Sequence, residues 1–358
     1  MRYDYSKYSV EAYTAPVWKG DRVGNESVMF LGDEGVSLLY NEVQIEGVYS
    51  FDLKTKYAPS EYFFRGGKLY RSEHSSMPRL TWEEYYPLLE SERTKRRLGG
   101  GNLLFSEGSF FSDRQVVVTY THADPWRGFI PNGQRQKAEK LLRLISSNQP
   151  ITIAFFGDSI TAGSNASGYL GFSPYAARYS EQVANYLKRK FGNDRIESYN
   201  FAVGGKTSAW GIGSAKSALD TVKPDLAVVA FGMNDGGLTA ARYLENIRKI
   251  VDLIVEKNAQ ATVVLVSPMA PNPQALDFYK NQPTFEKALL AFSEESGLKN
   301  IAVAPMTSMH ESLLKRKKYA DMTGNNINHP NDFLTRIYAQ VILKTLLGDE
   351  FTELQQGE

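Results

Sequence analysis

Four side-chain and backbone groups in the second half of this chain form a chemically useful set. Ser159 follows the apolar run Ile151–Phe155 within ITIAFFGDSITAG, Gly204-Gly205 follows Ile196–Val203, and Gly232-Met233-Asn234-Asp235 follows Leu226–Phe231. Asn328-His329-Pro330 stands just ahead of the final helical stretch. A hydroxyl, a glycine amide, a carboxamide and an imidazole at successive sheet edges can carry out acyl transfer. Ser159 attacks an ester carbonyl, and His329 takes its proton and returns one to the leaving alcohol. The oxyanion is received by the N–H groups of Ser159 and Gly205 and by the side-chain NH₂ of Asn234. Glycine suits position 205 because backbone must approach substrate closely there.

The elements that must position these groups are legible from periodicity. From Ile151 strands and helices alternate. Strands are expected at Ile196–Val203, Leu226–Phe231, Ala261–Pro268 and Ile301–Ala304. Helices are expected at Pro174–Phe191, Ser208–Val222, Leu238–Asn258, Pro283–Gly297, Met309–Tyr319 and Asp332–Leu347. This order implies a parallel, doubly wound sheet with helices on both faces, in which the carboxyl ends of the strands converge on one crevice.

Residues before 148 read differently. Ser27–Leu31, Val36–Tyr40, Val43–Phe51 and Val116–Thr121 are short β-branched and aromatic runs punctuated by Gly, Asp and Asn, as in a sandwich or jelly roll. Thr81–Arg97 reads as a short helix or irregular excursion, Gly99-Gly100-Gly101 as a loop, and Gln134–Ser147 as a helix joining the halves. Pro150 is the expected hinge. The expected domains are therefore 1–148, an all-β accessory unit, and 149–358, an α/β unit.

These residues resemble the SGNH hydrolases, the GDSL-type esterase superfamily. Gly157-Asp158-Ser159 matches its first block, Asn200-Phe201-Ala202-Val203-Gly204-Gly205 its second and Gly232-Met233-Asn234-Asp235 its third. The resemblance covers roughly 150–350. It implies a flavodoxin-like three-layer α/β/α fold, Ser159 as nucleophile, and Gly205 (or the adjacent Gly204) and Asn234 as oxyanion donors. The last block, Asp-x-x-His, is met only in part by Asn326-Ile327-Asn328-His329. An amide cannot stabilise imidazolium as a carboxylate does, although its oxygen can accept the Nδ1 proton. The expectation is a Ser159–His329 dyad, with His329 oriented by a backbone carbonyl or by Asn326. Asp332 competes as third member but reads first as a helix cap. Some two-domain carbohydrate esterases of the superfamily, with an N-terminal β-sandwich, use such a dyad.

Composition narrows the alternatives. The chain has 358 residues, 42% hydrophobic, with Lys+Arg 41 against Asp+Glu 40 and a net charge of +1. That balance provides no bulk attraction to nucleic acid or an anionic membrane. The basic clusters Lys95-Arg96-Arg97, Lys188-Arg189-Lys190 and Lys315–Lys318 read as solvated faces. There is no cysteine, which excludes disulfides, thiolate catalysis and cysteine-ligated metals. His74, His122 and His310 lack metal-ligand spacing, so neither metal nor cofactor is expected. The sequence MRYDYSKYSVEAY has no apolar h-region, and no run approaches the about 18–20 apolar residues of a membrane span. A cytoplasmic protein is expected, or a secreted one had a signal been removed. Oligomeric state is not legible. Asp158 and Asp235 read as braces of their turns, and Trp126, Trp210 and Tyr175 as core or pocket wall.

The leading expectation is a serine esterase acting on short acyl groups, acetyl foremost, of carbohydrate hydroxyls in a small-molecule or oligosaccharide substrate. The alternatives are a lysophospholipase, a thioesterase or a generic short-chain esterase and, from another class, a carbohydrate-binding protein with an inactive hydrolase half. No Gly-x-Ser-x-Gly elbow occurs, and Gly211-Ile212-Gly213 is followed by Lys216 where a nucleotide fingerprint needs glycine.

Overall fold

The computed structural model of the chain describes residues 10–351. After a short helix α1 (Val10–Thr14), β-branched and aromatic segments form antiparallel strands: β1 (Arg22–Val28), β2 (Val36–Ser37), β3 (Val43–Ser50), β4 (Tyr62–Arg65), β5 (Lys68–Arg71), β6 (Thr94–Arg96), β7 (Asn102–Leu104) and β8 (Val116–His122). They pair in the orders β1–β8–β3, β2–β5–β4 and β6–β7. Gly99, Gly100 and Gly101 lie between β6 and β7, and Thr81 caps the one-turn helix α2 (Trp82–Tyr85). Strands β4 to β7 are absent from the sequence expectation. They are three or four residues long, too short for alternation to mark them.

Helix α3 (Glu139–Ser146) buries Leu141, Leu142 and Ile145 and leads into the parallel sheet. The strands are β9 (Ile151–Gly157), β10 (Ile196–Asn200), β11 (Leu226–Ala230), β12 (Thr262–Val266) and β13 (Ile301–Ala304), in the order β10–β9–β11–β12–β13. Alternate residues of β9 and β11 face opposite layers. Ile153, Phe155 and Val228 pack with α6 (Tyr179–Phe191) and α11 (Asp332–Leu347), whereas Ala154, Phe156, Ala227 and Val229 pack with α7 (Ser208–Thr221), α8 (Ala240–Lys257) and α9 (Phe285–Glu295). This is a three-layer α/β/α arrangement, as expected. Helix α6 begins at Tyr179 rather than Pro174, and α10 (Met306–Leu314) starts beside Pro305, three residues ahead of the expected start.

The two halves share a core. Val28, Val48, Val116, Val118 and Tyr120 belong to the same buried cluster as Leu334, Ile337, Val341 and the face of β9. Every residue of α11 is buried, because one side lies on the parallel sheet and the other beneath the antiparallel strands. Polar groups close the same junction. Glu26 on β1 accepts from Lys317 Nζ at 2.5 Å, from Tyr120 Oη at 2.5 Å and from Leu39 N at 3.1 Å. Both side chains of the ion pair are wholly buried. Truncating one partner strands the other charge in a low dielectric, so Lys317→Met should lower unfolding free energy by about 3 kcal/mol or more. Urea titration of Lys317→Met and of Glu26→Gln/Lys317→Met checks this, the double variant recovering much of the loss.

Candidate active site

The crevice lies where strand order reverses, between β9 and β11. Gly157 pairs with Ala230 there, and a Cβ on it would stand 2.1 Å from Thr161 Oγ1 and 2.7 Å from Ala230 O. Only glycine lets the chain turn so tightly out of the strand. Asp158 caps the one-turn helix α4 (Ser159–Ala162), accepting from Ile160 N at 3.0 Å. Burial pushes the Asp158 carboxyl up to about 7, against the pull of that N–H and of His329. Asp158 thus braces the turn that presents Ser159.

Ser159 Oγ lies 2.9 Å from His329 Nε2. The other ring nitrogen, Nδ1, faces Asn165 Oδ1 at 2.8 Å and Glu107 Oε2 at 3.2 Å. Asn165 Nδ2 donates to Gly108 O at 3.2 Å and Gly324 O at 3.1 Å, which fixes its amide with the oxygen toward the ring. An acceptor at Nδ1 keeps the proton on that nitrogen and leaves Nε2 free to accept from the serine hydroxyl. The histidine loop is held by Asn325, whose Oδ1 accepts from Ile327, Asn328 and His329 N at 3.0 Å each.

Neither residue expected to orient His329 touches it. Asn326, at φ +66, donates from Nδ2 to Leu104 O and accepts at Oδ1 from Tyr85 Oη, both at 3.0 Å, so its buried amide serves the β6–β7 hairpin and α2. Asp332 accepts from Ser167 N at 2.8 Å and Ser167 Oγ at 2.6 Å, and the cap of α11 is Asn331. The groups that sequence reasoning missed, Glu107 and Asn165, lie outside the motif blocks. Glu107 follows β7, 222 residues from its partner. No local pattern marks such a pairing.

In the second block, an ideal Cβ on Gly204 would lie 3.8 Å from Ser159 Cβ, so this turn borders Ser159. Gly205 has φ +74, which other residues adopt only with strain. Asn234 Nδ2 spends one hydrogen on Lys206 O at 2.9 Å, tying the third block to the second and keeping its other hydrogen in reserve. Asp235 accepts from Ser208 N and Oγ and anchors the start of α7.

The other singled-out residues lie apart. His122 stacks on Tyr40, His74 is exposed, and His310 is buried, which pushes its pKa down to about 3. Among the described residues no cluster of His, Asp and Glu is arranged to hold a metal ion. No helix among them is long and apolar enough to cross a membrane. Trp126 lines a groove of about 540 Å³ against α10, none of whose lining residues belongs to this site. Trp210 packs on the second core beneath Lys206, and Tyr175 sits in the loop before α6, its N–H on Phe172 O.

A hydroxyl paired with an oriented imidazole thus stands at the switch point of a 2-1-3-4-5 parallel sheet within an α/β/α unit. The chain belongs to the GDSL-like Lipase/Acylhydrolase family, whose sequence profile matches residues 155–333. No curated protein sequence matches it. Among solved structures it is similar to a two-domain esterase (CEX) active on acetylated mannans, co-crystallized with mannopentaose. That match has 22% identity and a TM-score of 0.49, over 64% of this chain and 57% of the other. It is also similar to the acetyl xylan esterase AlAXEase, with 20% identity and a TM-score of 0.43, over 54% and 98% of the chains. TesA matches with 20% identity and a TM-score of 0.40, over 55% and 98%. The chain thus spans little more than half the length of the two-domain esterase.

Burial raises the Asp332 carboxyl from 3.8 to about 6, the two bonds from Ser167 opposing it. A carboxyl raised on folding contributes stability below its unfolded value, and that contribution is lost as pH rises through the folded value. Asp332→Asn should therefore gain stability relative to wild type between about pH 4 and 6, by up to about 3 kcal/mol. Esterase kcat should stay within a few-fold. Denaturation at a series of pH values, with an ester assay alongside, checks both.

Proposed function

We propose that this chain is a serine esterase that removes short acyl groups, acetyl foremost, from carbohydrate hydroxyls. The observation that carries the reading is the 2.9 Å approach of Ser159 Oγ to an imidazole whose far nitrogen is held by acceptors. Ser159 Oγ adds to the ester carbonyl carbon while its proton passes to His329 Nε2. The carbonyl oxygen, now an anion, is met by Ser159 N–H, Gly205 N–H and the second hydrogen of Asn234 Nδ2. Collapse breaks the bond to the alcohol oxygen, which takes the proton from Nε2. Water then repeats the sequence on the acyl-enzyme, with the same base, and releases the acid and free Ser159.

The sugar alcohol is favoured by the polar surroundings. Glu107, about half exposed, places a carboxylate beside His329, and a charged group there suits a polyol better than an apolar alcohol. The 1–148 and 149–358 segments act in this reading as accessory and hydrolase parts of one enzyme.

Hydrolysis of p-nitrophenyl esters of two, four, eight and twelve carbons, followed by acetylated oligosaccharides, is the test. Acetate should be preferred. Ser159→Ala and His329→Ala should lower kcat by about 10⁴-fold or more, and Asn234→Ala by about 10²–10³-fold. Full activity in Ser159→Ala would overturn the reading, and an optimum at eight carbons or more would replace the sugar ester with a lipid-like one.

A further inference from the structure

We infer that the catalytic base is set by two positioning residues outside the family's motif blocks: the amide of Asn165, which fixes the tautomer of His329, and the carboxylate of Glu107, which the antiparallel half delivers to support the imidazolium. The inference rests on Ser159 and His329 being the reacting pair.

The two partners of Nδ1 differ in ways that divide the work. Asn165 is buried, shorter in its contact and neutral. Its φ of +66 is a conformation that asparagine tolerates better than most residues, and its Nδ2 is committed to two carbonyls, so it cannot flip. It can hold the Nδ1 proton in place but adds no charge. Glu107 is charged and about half exposed, with Oε1 held by Asn325 Nδ2 at 3.0 Å and Oε2 turned to the ring. Burial alone would raise its carboxyl, but the hydrogen bond and charge of His329, the Asn325 amide and Lys95 outweigh this and hold it below its ordinary value.

The loop that carries Glu107 is fixed independently of the ring. Leu104 O accepts from Asn326 Nδ2, Phe105 N donates to Arg93 O, Lys95 Nζ lies 4.4 Å from the Phe105 ring centre, and Gly108 O receives Asn165. Asn326, standing where the family has its aspartate, thereby anchors the strand that brings a carboxylate from elsewhere. The charged groups about His329 are then Glu107 from the loop after β7, with Lys95 of β6 behind it, and Asp158 buried beneath the nucleophile turn.

The test is the pH dependence of kcat/KM on p-nitrophenyl acetate for the full chain and its variants, with Ser159→Ala alongside. Glu107→Gln removes the charge and keeps the shape. It should lower kcat about tenfold with KM little changed and move the acid limb to lower pH, because imidazolium is less stabilised. The gap from wild type should narrow with added salt, since a half-exposed charge is screened. Asn165→Asp brings a second carboxylate to the ring and should move the acid limb the other way. Glu107→Gln/Asn165→Asp, which transfers the carboxylate from one partner to the other, should return it toward wild type. A merely structural role would not produce opposite shifts. An inactive Ser159→Ala beside unchanged profiles in both single variants would sink this inference and spare the esterase reading. An active Ser159→Ala would sink both.

Discussion

The site depends on how the irregular segment 319–331, which carries His329, satisfies its buried backbone. Such a segment has only one short bridge of its own, Thr323 with Pro330, and each unpaired buried amide or carbonyl is costly. The antiparallel half meets the need. Gln115 Nε2 donates to Ala320 O at 2.7 Å and Thr323 O at 2.8 Å, and Ser27 Oγ donates to Asp321 O at 2.5 Å. Asp321 in turn accepts from Met29 N at 2.8 Å. Asn331 Nδ2, just past the histidine, reaches Ser27 Oγ and Gln115 Oε1, each at 3.0 Å. His329 is thus held by strands that precede Ser159 in sequence.

The apolar packing repeats the dependence. A helix buried all round needs cover on two sides, and α11, which starts three residues after His329, has the parallel sheet on one and β1 with its neighbours on the other. Arg336 Nη2 on its outer face donates to Gly24 O at 2.7 Å, and Gln340 Nε2 to Ala15 O at 2.7 Å. Ser159 is positioned otherwise. Gly157 ends the central strand β9, Asp158 and Ser159 follow it, and the bond from Ile160 N to Asp158 that shapes their turn spans two residues. Ser159 is therefore set largely by its own turn, and His329 by contacts across the whole chain.

This asymmetry explains which elements were legible. Strands β9, β11, β12 and β13 are nearly continuous runs of apolar and β-branched residues because both faces are covered, so each stands out. β4 to β7 are short and partly exposed, and nothing in YFFR or TKR distinguishes strand from loop. The change in expected start of α6 has a local cause, since Tyr175 stands at φ +59, outside the right-handed helical region. The absence of an aspartate three residues before His329 was visible. The replacement was not, because Asn326 points to the hairpin and Glu107 and Asn165 reach the ring by tertiary folding.

The sequence alone determined the doubly wound order, the Ser159, Gly205 and Asn234 blocks at strand ends, and the candidate base His329. Hydrophobic period and turn residues are local properties, and a parallel sheet gathers its strand ends on one edge whatever the remaining chain does. Tertiary structure alone decided what His329 leans on, that Asp332 holds Ser167 instead, and that the two halves share one core. Those depend on contacts between residues far apart in the chain, and burial, charge and hydrogen-bond satisfaction select them only once the halves are packed together.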